Sequence, residues 1–169
     1  MKELILGGAR CGKSRLAERR ATDSALPVTY IATGSAGDAE MAARIAHHQA
    51  QRPPHWGLIE EPLELAAVLQ QNAAAGRCLL VDCLTLWLSN LLHAGEASLQ
   101  QQVPRLLEIL PALPGRILLV SNEVGMGIVP AGELSRRFVD EAGRLHQHLA
   151  GQCDRVTLVV AGLPYPLKG

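Results

Sequence analysis

The sequence has few of the residues that mark a secreted, membrane-spanning or nucleic-acid-reading protein. Its four cysteines, Cys11, Cys78, Cys83 and Cys153, include no C-x-x-C pair and no metal-ligand spacing. That excludes a stapled extracellular scaffold and favours a reducing, cytoplasmic setting. Aromatic residues make up 3% of the chain: Tyr30, Trp56, Trp87, Phe138 and Tyr165. So few rings exclude a base-stacking reader of single strands. Lys+Arg and Asp+Glu both number 16, for a formal net charge of zero. This argues against a strongly basic nucleic-acid binder, so no nucleic-acid partner is expected. No stretch approaches the 18 uncharged apolar residues of a membrane span, and the apolar run in MKELILGGAR is too short for a signal peptide.

What is present is a large apolar fraction, 48% of 169 residues. It is enough to bury a core without disulfides or metals, and the length suits a single domain over 1–169. Short, nearly continuous apolar runs recur at Glu3–Leu6, Val28–Thr33, Cys78–Asp82, Arg116–Ser121 and Arg155–Ala161. Strands buried on both faces of a parallel sheet read this way. Segments long enough for helical crossovers lie between them: Lys13–Asp23, Asp38–Gln51, Pro62–Ala75, Leu84–His93, Leu99–Leu110 and Gly132–Ala150. The last places Leu134, Phe138, Ala142, Leu145 and Leu149 at helix spacing. The alternation predicts an α/β fold, a mostly parallel sheet with helices on both faces.

Residues 7–14 read GGARCGKS, which fits G-x-x-x-x-G-K-[ST] directly after a strand and at the opening of a helix. Gly7 and Gly12 allow the tight turn that points backbone N–H groups inward. Those donors, from Gly8, Ala9, Arg10, Cys11 and Gly12, together with the helix N-terminus, suit phosphate oxygens. Lys13 reaches the β and γ phosphates, and Ser14 can ligate Mg²⁺. The metal needs an acidic partner on a neighbouring strand, and Cys78-Leu79-Leu80-Val81-Asp82 has the Walker-B pattern that offers Asp82. The same Asp82 also fits an N-cap for the helix near Leu84. An Asn-Lys-x-Asp guanine reader is absent, because none of the three lysines, Lys2, Lys13 and Lys168, follows an asparagine. A metabolic kinase or nucleotidyltransferase is therefore expected rather than a regulatory GTPase or a nucleotide-binding scaffold.

The segment DAEMAARIAHHQAQRPPHW, residues 38–56, places Arg44, His48 and Arg52 four apart in one helical stripe. Arginines flanking an imidazole suit phosphoryl chemistry, in which neutral histidine attacks phosphorus. Taken alone, the stripe reads better as a solvated polar face, since arginines and a histidine on an exposed helix are ordinary. Spacing does not choose between His47 and His48, which lie about 100° apart around the helix.

Together the blocks GGARCGKSRLAE, YIATG, EMAARIAHHQAQRPPHW, VDCLTLWLSNLL and NEVGMGIVP resemble the bifunctional adenosylcobinamide kinase / adenosylcobinamide-phosphate guanylyltransferase family, the CobU/CobP type of cobalamin synthesis. The similarity runs from residue 3 to about 168. It implies a P-loop NTPase fold of the RecA-like type and a homotrimer. It also implies a kinase step from ATP or GTP to the aminopropanol hydroxyl of adenosylcobinamide. GMP transfer from GTP through a covalent GMP-histidine then gives adenosylcobinamide-GDP. Carried over, the nucleotide loop falls on Gly7 through Ser14 and the nucleophile on His48, with His47 the lesser reading. Nucleotide contacts fall on Ala32, Thr33, Gly34, Gln49, Ala50, Gln51, Arg52, Glu60 and Asp82, with Mg²⁺ on Ser14 and Asp82. Cys11 stands where the family more commonly has Ser, a position where the loop works through its backbone. The resemblance assigns no role to Glu123 and names no corrinoid-binding residue. A small-molecule kinase without transferase activity is the alternative.

Overall fold

A computed structural model describes residues 1–34 and 53–169. Seven strands form one sheet: β1 (Lys2–Gly7), β2 (Val28–Ala32), β3 (Gly57–Glu60), β4 (Cys78–Asp82), β5 (Arg116–Asn122), β6 (Arg155–Val160) and β7 (Leu163–Lys168), in the order β3-β2-β4-β5-β1-β6-β7. Every pairing is parallel except that of β6 with β7. Five helices are described: α1 (Lys13–Thr22), α2 (Leu65–Asn72), α3 (Leu84–Ala94), α4 (Glu96–Ile109) and α5 (Glu133–Gln152).

The strand alternation divides the core into two layers. Leu4, Leu6, Leu79, Val81, Ile117 and Leu119 face one side and pack with α2 to α5. Ile5, Leu80, Leu118 and Val120 face the other and pack with Leu16, Ala17 and Ala21 of α1. Neither face of the central strands meets water, so their near-continuous hydrophobicity is a packing requirement.

The expected α/β architecture is present, with two strands added and one placement changed. The strand β3 is exposed at Gly57, Leu58 and Glu60, and β7 is exposed along its whole length. Neither produces an apolar run. The acidic strand β4 does not lie directly beside β1, because β5 pairs with both and stands between them.

At the N-terminal edge of the sheet, Glu3 is fully buried and ion-paired with Arg20 of α1. Arg116 Nη2 lies 4.0 Å from the same carboxylate. Arg20 Nη1 also donates to Thr157 Oγ1 at 3.0 Å, which ties α1 to β1 and β6 away from the candidate site.

Candidate active site

The parallel strands bring their carboxyl ends to one edge. Register aligns Glu60 with Ala32, Ala32 with Asp82, and Gly7 with Asn122. The chain leaves β1 at Gly7 and enters α1 at Lys13, so residues 8–12 form the connection above that edge. Both glycines of the motif are required by space or torsion. A Cβ at Gly7 would meet the Val159 carbonyl oxygen at 2.6 Å, and Gly12 has φ 96° with Gly162 Cα 3.3 Å from where its Cβ would stand. Arg10 is also left-handed, at φ 56°. Alternation of left- and right-handed residues turns successive N–H groups toward one side and makes a concave anion site.

Neighbouring segments hold this loop in place. Cys11 N–H donates to Gly8 O at 3.3 Å, and Gly162 N–H donates to Cys11 O at 2.8 Å. Glu123 N–H donates to Gly7 O at 3.0 Å. Lys13 is 8% exposed, and its Nζ donates to Gly8 O at 3.2 Å. The ammonium is thus folded back across the loop, where a phosphate would meet it along with the backbone donors. Ser14 is half-buried in the first turn of α1.

Asp82 ends β4 two strands away, a lateral distance of about 10 Å at ordinary strand spacing. Tyr30 O–H donates to Asp82 Oδ2 at 3.1 Å. The N-cap of α3 is Cys83, with no side-chain capping bond. Asp82 therefore acts as an edge carboxylate oriented by Tyr30, not as the helix cap. Beside it, Thr33 is fully buried, and its Oγ1 donates to Cys83 O at 2.7 Å and accepts from Cys83 N at 3.0 Å. Asn90 Nδ2 donates to Thr33 O at 2.7 Å and to Pro62 O at 3.1 Å. These bonds fix the turn after β2 against the start of α3.

At the end of β5, Asn122 Nδ2 donates to Thr85 Oγ1 at 2.8 Å. Ser121 Oγ and His146 Nε2 of α5 are 2.7 Å apart, and His146 Nδ1 lies 3.9 Å from Glu123 Oε2. Burial lowers the His146 pKa, against a smaller upward pull from Glu123.

A strand, a concave loop of backbone donors, a helix with its buried lysine, and an edge carboxylate beyond one intervening strand have the arrangement of a P-loop. Residues 3–167 match the family described as cobinamide kinase / cobinamide phosphate guanyltransferase. The chain belongs to that family. It is 65% identical over 170 residues to the bifunctional adenosylcobalamin biosynthesis protein CobP of Pseudomonas aeruginosa, covering 100% of this chain and 98% of that one. It is 42% identical over 182 residues to the bifunctional adenosylcobalamin biosynthesis protein CobU of Salmonella typhimurium, covering 99% and 100%. Among solved structures, a Pyrococcus horikoshii OT3 protein superposes with a TM-score of 0.54 at 10% identity, covering 99% of this chain and 86% of that one. The RadB recombinase superposes with a TM-score of 0.50 at 15% identity, covering 93% and 73%. These two likenesses are of fold, and agree with a RecA-like α/β sheet.

As a cobinamide kinase / guanyltransferase, the chain is a nucleotide-using enzyme whose P-loop strand, Asp82, Glu60 and the 32–34 turn share one sheet edge. Ala32 and Thr33 are buried, and the Thr33 side chain is committed to Cys83, which leaves Gly34 the more accessible of the three. His47, His48, Gln49, Ala50, Gln51 and Arg52, with Arg44, lie outside the described residues. Sequence reasoning did not find Tyr30, Asn90 or His146. Each is a polar group whose partner is distant in the chain, Tyr30 and Asn90 within apolar elements and His146 on the buried face of an amphipathic helix, so no local pattern marks it. No group of three or more His, Cys, Asp or Glu residues suited to a metal occurs among the described residues. No helix among them is long and apolar enough to cross a membrane.

Proposed function

We propose that the chain, acting as one catalytic domain over 1–169, performs two successive transfers. In the first, the aminopropanol hydroxyl oxygen of adenosylcobinamide attacks the γ phosphorus of ATP or GTP. The bond to the bridging oxygen breaks, the nucleoside diphosphate leaves and the hydroxyl proton is lost. In the second, a nitrogen of His48 attacks the α phosphorus of GTP, a P–N bond forms and pyrophosphate leaves. An oxygen of adenosylcobinamide phosphate then attacks that phosphorus, breaks the P–N bond and restores the imidazole, giving adenosylcobinamide-GDP.

The observation that carries this reading is the phosphate loop, with Lys13 Nζ folded over its backbone donors and Asp82 on the same sheet edge. Loop N–H groups and Lys13 hold phosphate oxygens in both steps, which is positioning and charge stabilisation. Arg10, exposed on the crest of the loop, adds positive charge, and so do Arg44 and Arg52. The Ser14 hydroxyl and the Asp82 carboxylate are hard oxygen donors, few in number, as suits Mg²⁺, which keeps waters and takes phosphate oxygens as further ligands. When bound, Mg²⁺ supplies neutralising charge to the phosphates. The enzyme is read as a cytoplasmic homotrimer acting on small molecules, with no nucleic-acid partner.

Incubation with GTP and adenosylcobinamide tests the reading. Adenosylcobinamide phosphate is expected first, then adenosylcobinamide-GDP with one pyrophosphate per GMP transferred. Phosphorylation without GMP transfer selects the kinase-only reading.

A further inference from the structure

The apolar residues that follow β5 are exposed to an unusual degree. Met126 is 78% exposed, Ile128 99% and Val129 75%, and Leu134 at the start of α5 is 54% exposed. They follow in the chain from the end of β5, where Glu123 N–H bonds Gly7 O at 3.0 Å, so the stretch departs from the strand end that adjoins the phosphate loop. A groove of about 400 Å³ takes Val124, Pro130 and Leu134 from the same stretch and is closed by Leu92, Phe138 and Val139. Apolar patches of this kind on a folded chain mark contact with a ligand or partner.

The stretch is anchored at both ends by side-chain hydrogen bonds to its backbone. Glu123 Oε1 accepts from Gly125 N–H at one end, and Arg136 Nη1 donates to the carbonyls of Pro130 and Ala131 at the other. Residues 124–132, VGMGIVPAG, carry no charge. The phosphate side of the mouth presents Arg10 and Lys13, so the two sides differ in the chemistry they accept.

We propose that this uncharged platform, Met126 to Val129 with Leu134 and the groove that Leu134 lines, holds the corrin macrocycle of the acceptor while its aminopropanol arm reaches the phosphate loop. The inference rests on the reading of adenosylcobinamide as acceptor. A corrin is broad, carries ring methyls and neutral amide arms, and is too large to enter a phosphate cradle. It needs an apolar, uncharged surface outside the loop, and this stretch provides one. The groove polar groups Ser89, His93 and Ser135 suit amide hydrogen bonds at the rim.

Steady-state kinetics and equilibrium dialysis with adenosylcobinamide, on wild type, Ile128→Asp and the milder Ile128→Ser, test this. An Ile128→Asp change should raise the KM and dialysis Kd for adenosylcobinamide about tenfold or more, the loss of one buried aliphatic contact. The KM for GTP and the mass in solution should be unchanged, and Leu167→Ser, an exposed apolar position on β7, should leave both KM values alone. Unchanged corrinoid affinity in both Ile128 variants overturns the proposal. So does a change in mass accompanied by equal losses for GTP and corrinoid, which would make the patch a contact between copies. Wild type that neither binds nor turns over adenosylcobinamide overturns the functional reading itself, and the platform with it.

Discussion

At the scale of single residues, position in the sheet separates chemistry from stability. Lys13 and Arg20 are both cations of α1, but Lys13 folds over the phosphate loop and Arg20 pairs with the buried Glu3 at the opposite edge. Lys13→Ala should lower kcat/KM for both transfers by about 10²-fold or more, the usual loss for a removed charge-stabilising group, with little change in the urea midpoint. Arg20→Ala leaves Glu3 charged and buried with Arg116 at 4.0 Å as its remaining cation. It should cost about 3 kcal/mol in urea unfolding while the folded fraction keeps its KM for GTP. The glycines, the lysine and the serine of the loop were legible in the sequence because the motif is a set of backbone requirements at fixed spacing. Tyr30 was not legible as the partner of Asp82, since the residues are 52 apart and meet only through the β2–β4 register.

At the scale of elements, strands buried on both faces were readable and edge strands were not. The five central runs, β1, β2, β4, β5 and β6, match the expected ones to within a residue or so at their ends. The β7 strand carries Pro164 and Pro166 in an exposed antiparallel edge, where a missing N–H is tolerated but no apolar run forms. Helix α5 shows the same limit. Ala142, Leu145 and Leu149 are buried as the spacing predicts, but Leu134 of the same stripe, in the first turn of the helix, is exposed. The contact between α5 and β5 should be visible in a pH profile. Burial holds the His146 pKa below its usual 6.5, so the unfolded chain binds more protons between that lowered value and 6.5. Stability should be full above about pH 6.5 and fall as the pH drops through that window. His146→Gln should flatten this part of the profile, measured as urea midpoint against pH.

The cysteines give a second test at this scale. Burial pushes the Cys153 thiol up to about 11 and raises Cys78 and Cys83 as well, whereas Cys11 sits half-buried in the phosphate loop. At pH 8 one thiol per native chain should react readily with an aromatic disulfide reagent, and all four after denaturation. GTP should slow the native reaction. Two or more fast thiols in the native protein would contradict the burial of the other three.

At the scale of the whole molecule, the sequence supported the layer order of the fold more fully than the order of its strands. Alternating apolar runs and crossovers dictate a parallel sheet covered on both faces, but they do not say that β5 enters between β1 and β4. That insertion sets the geometry of the candidate site, since it spaces Asp82 from Gly7 and lets Glu123 cap the strand that feeds the phosphate loop. The chemistry divides in the same way. The proposed phosphate site rests on the P-loop geometry, while assignment of a nucleophile rests on the stripe of Arg44, His48 and Arg52 and on family membership.

In the proposed reaction one 169-residue chain carries GMP on His48 between two substrates. GTP labelled at the α phosphate, mixed with wild type, His48→Ala and His47→Ala and quenched under denaturing conditions, tests it most directly. A protein-bound label, stable to alkali and released by acid, is expected in wild type and His47→Ala, and none in His48→Ala, which retains kinase activity. Label that persists in His48→Ala and disappears in His47→Ala, or no label in wild type, would contradict it.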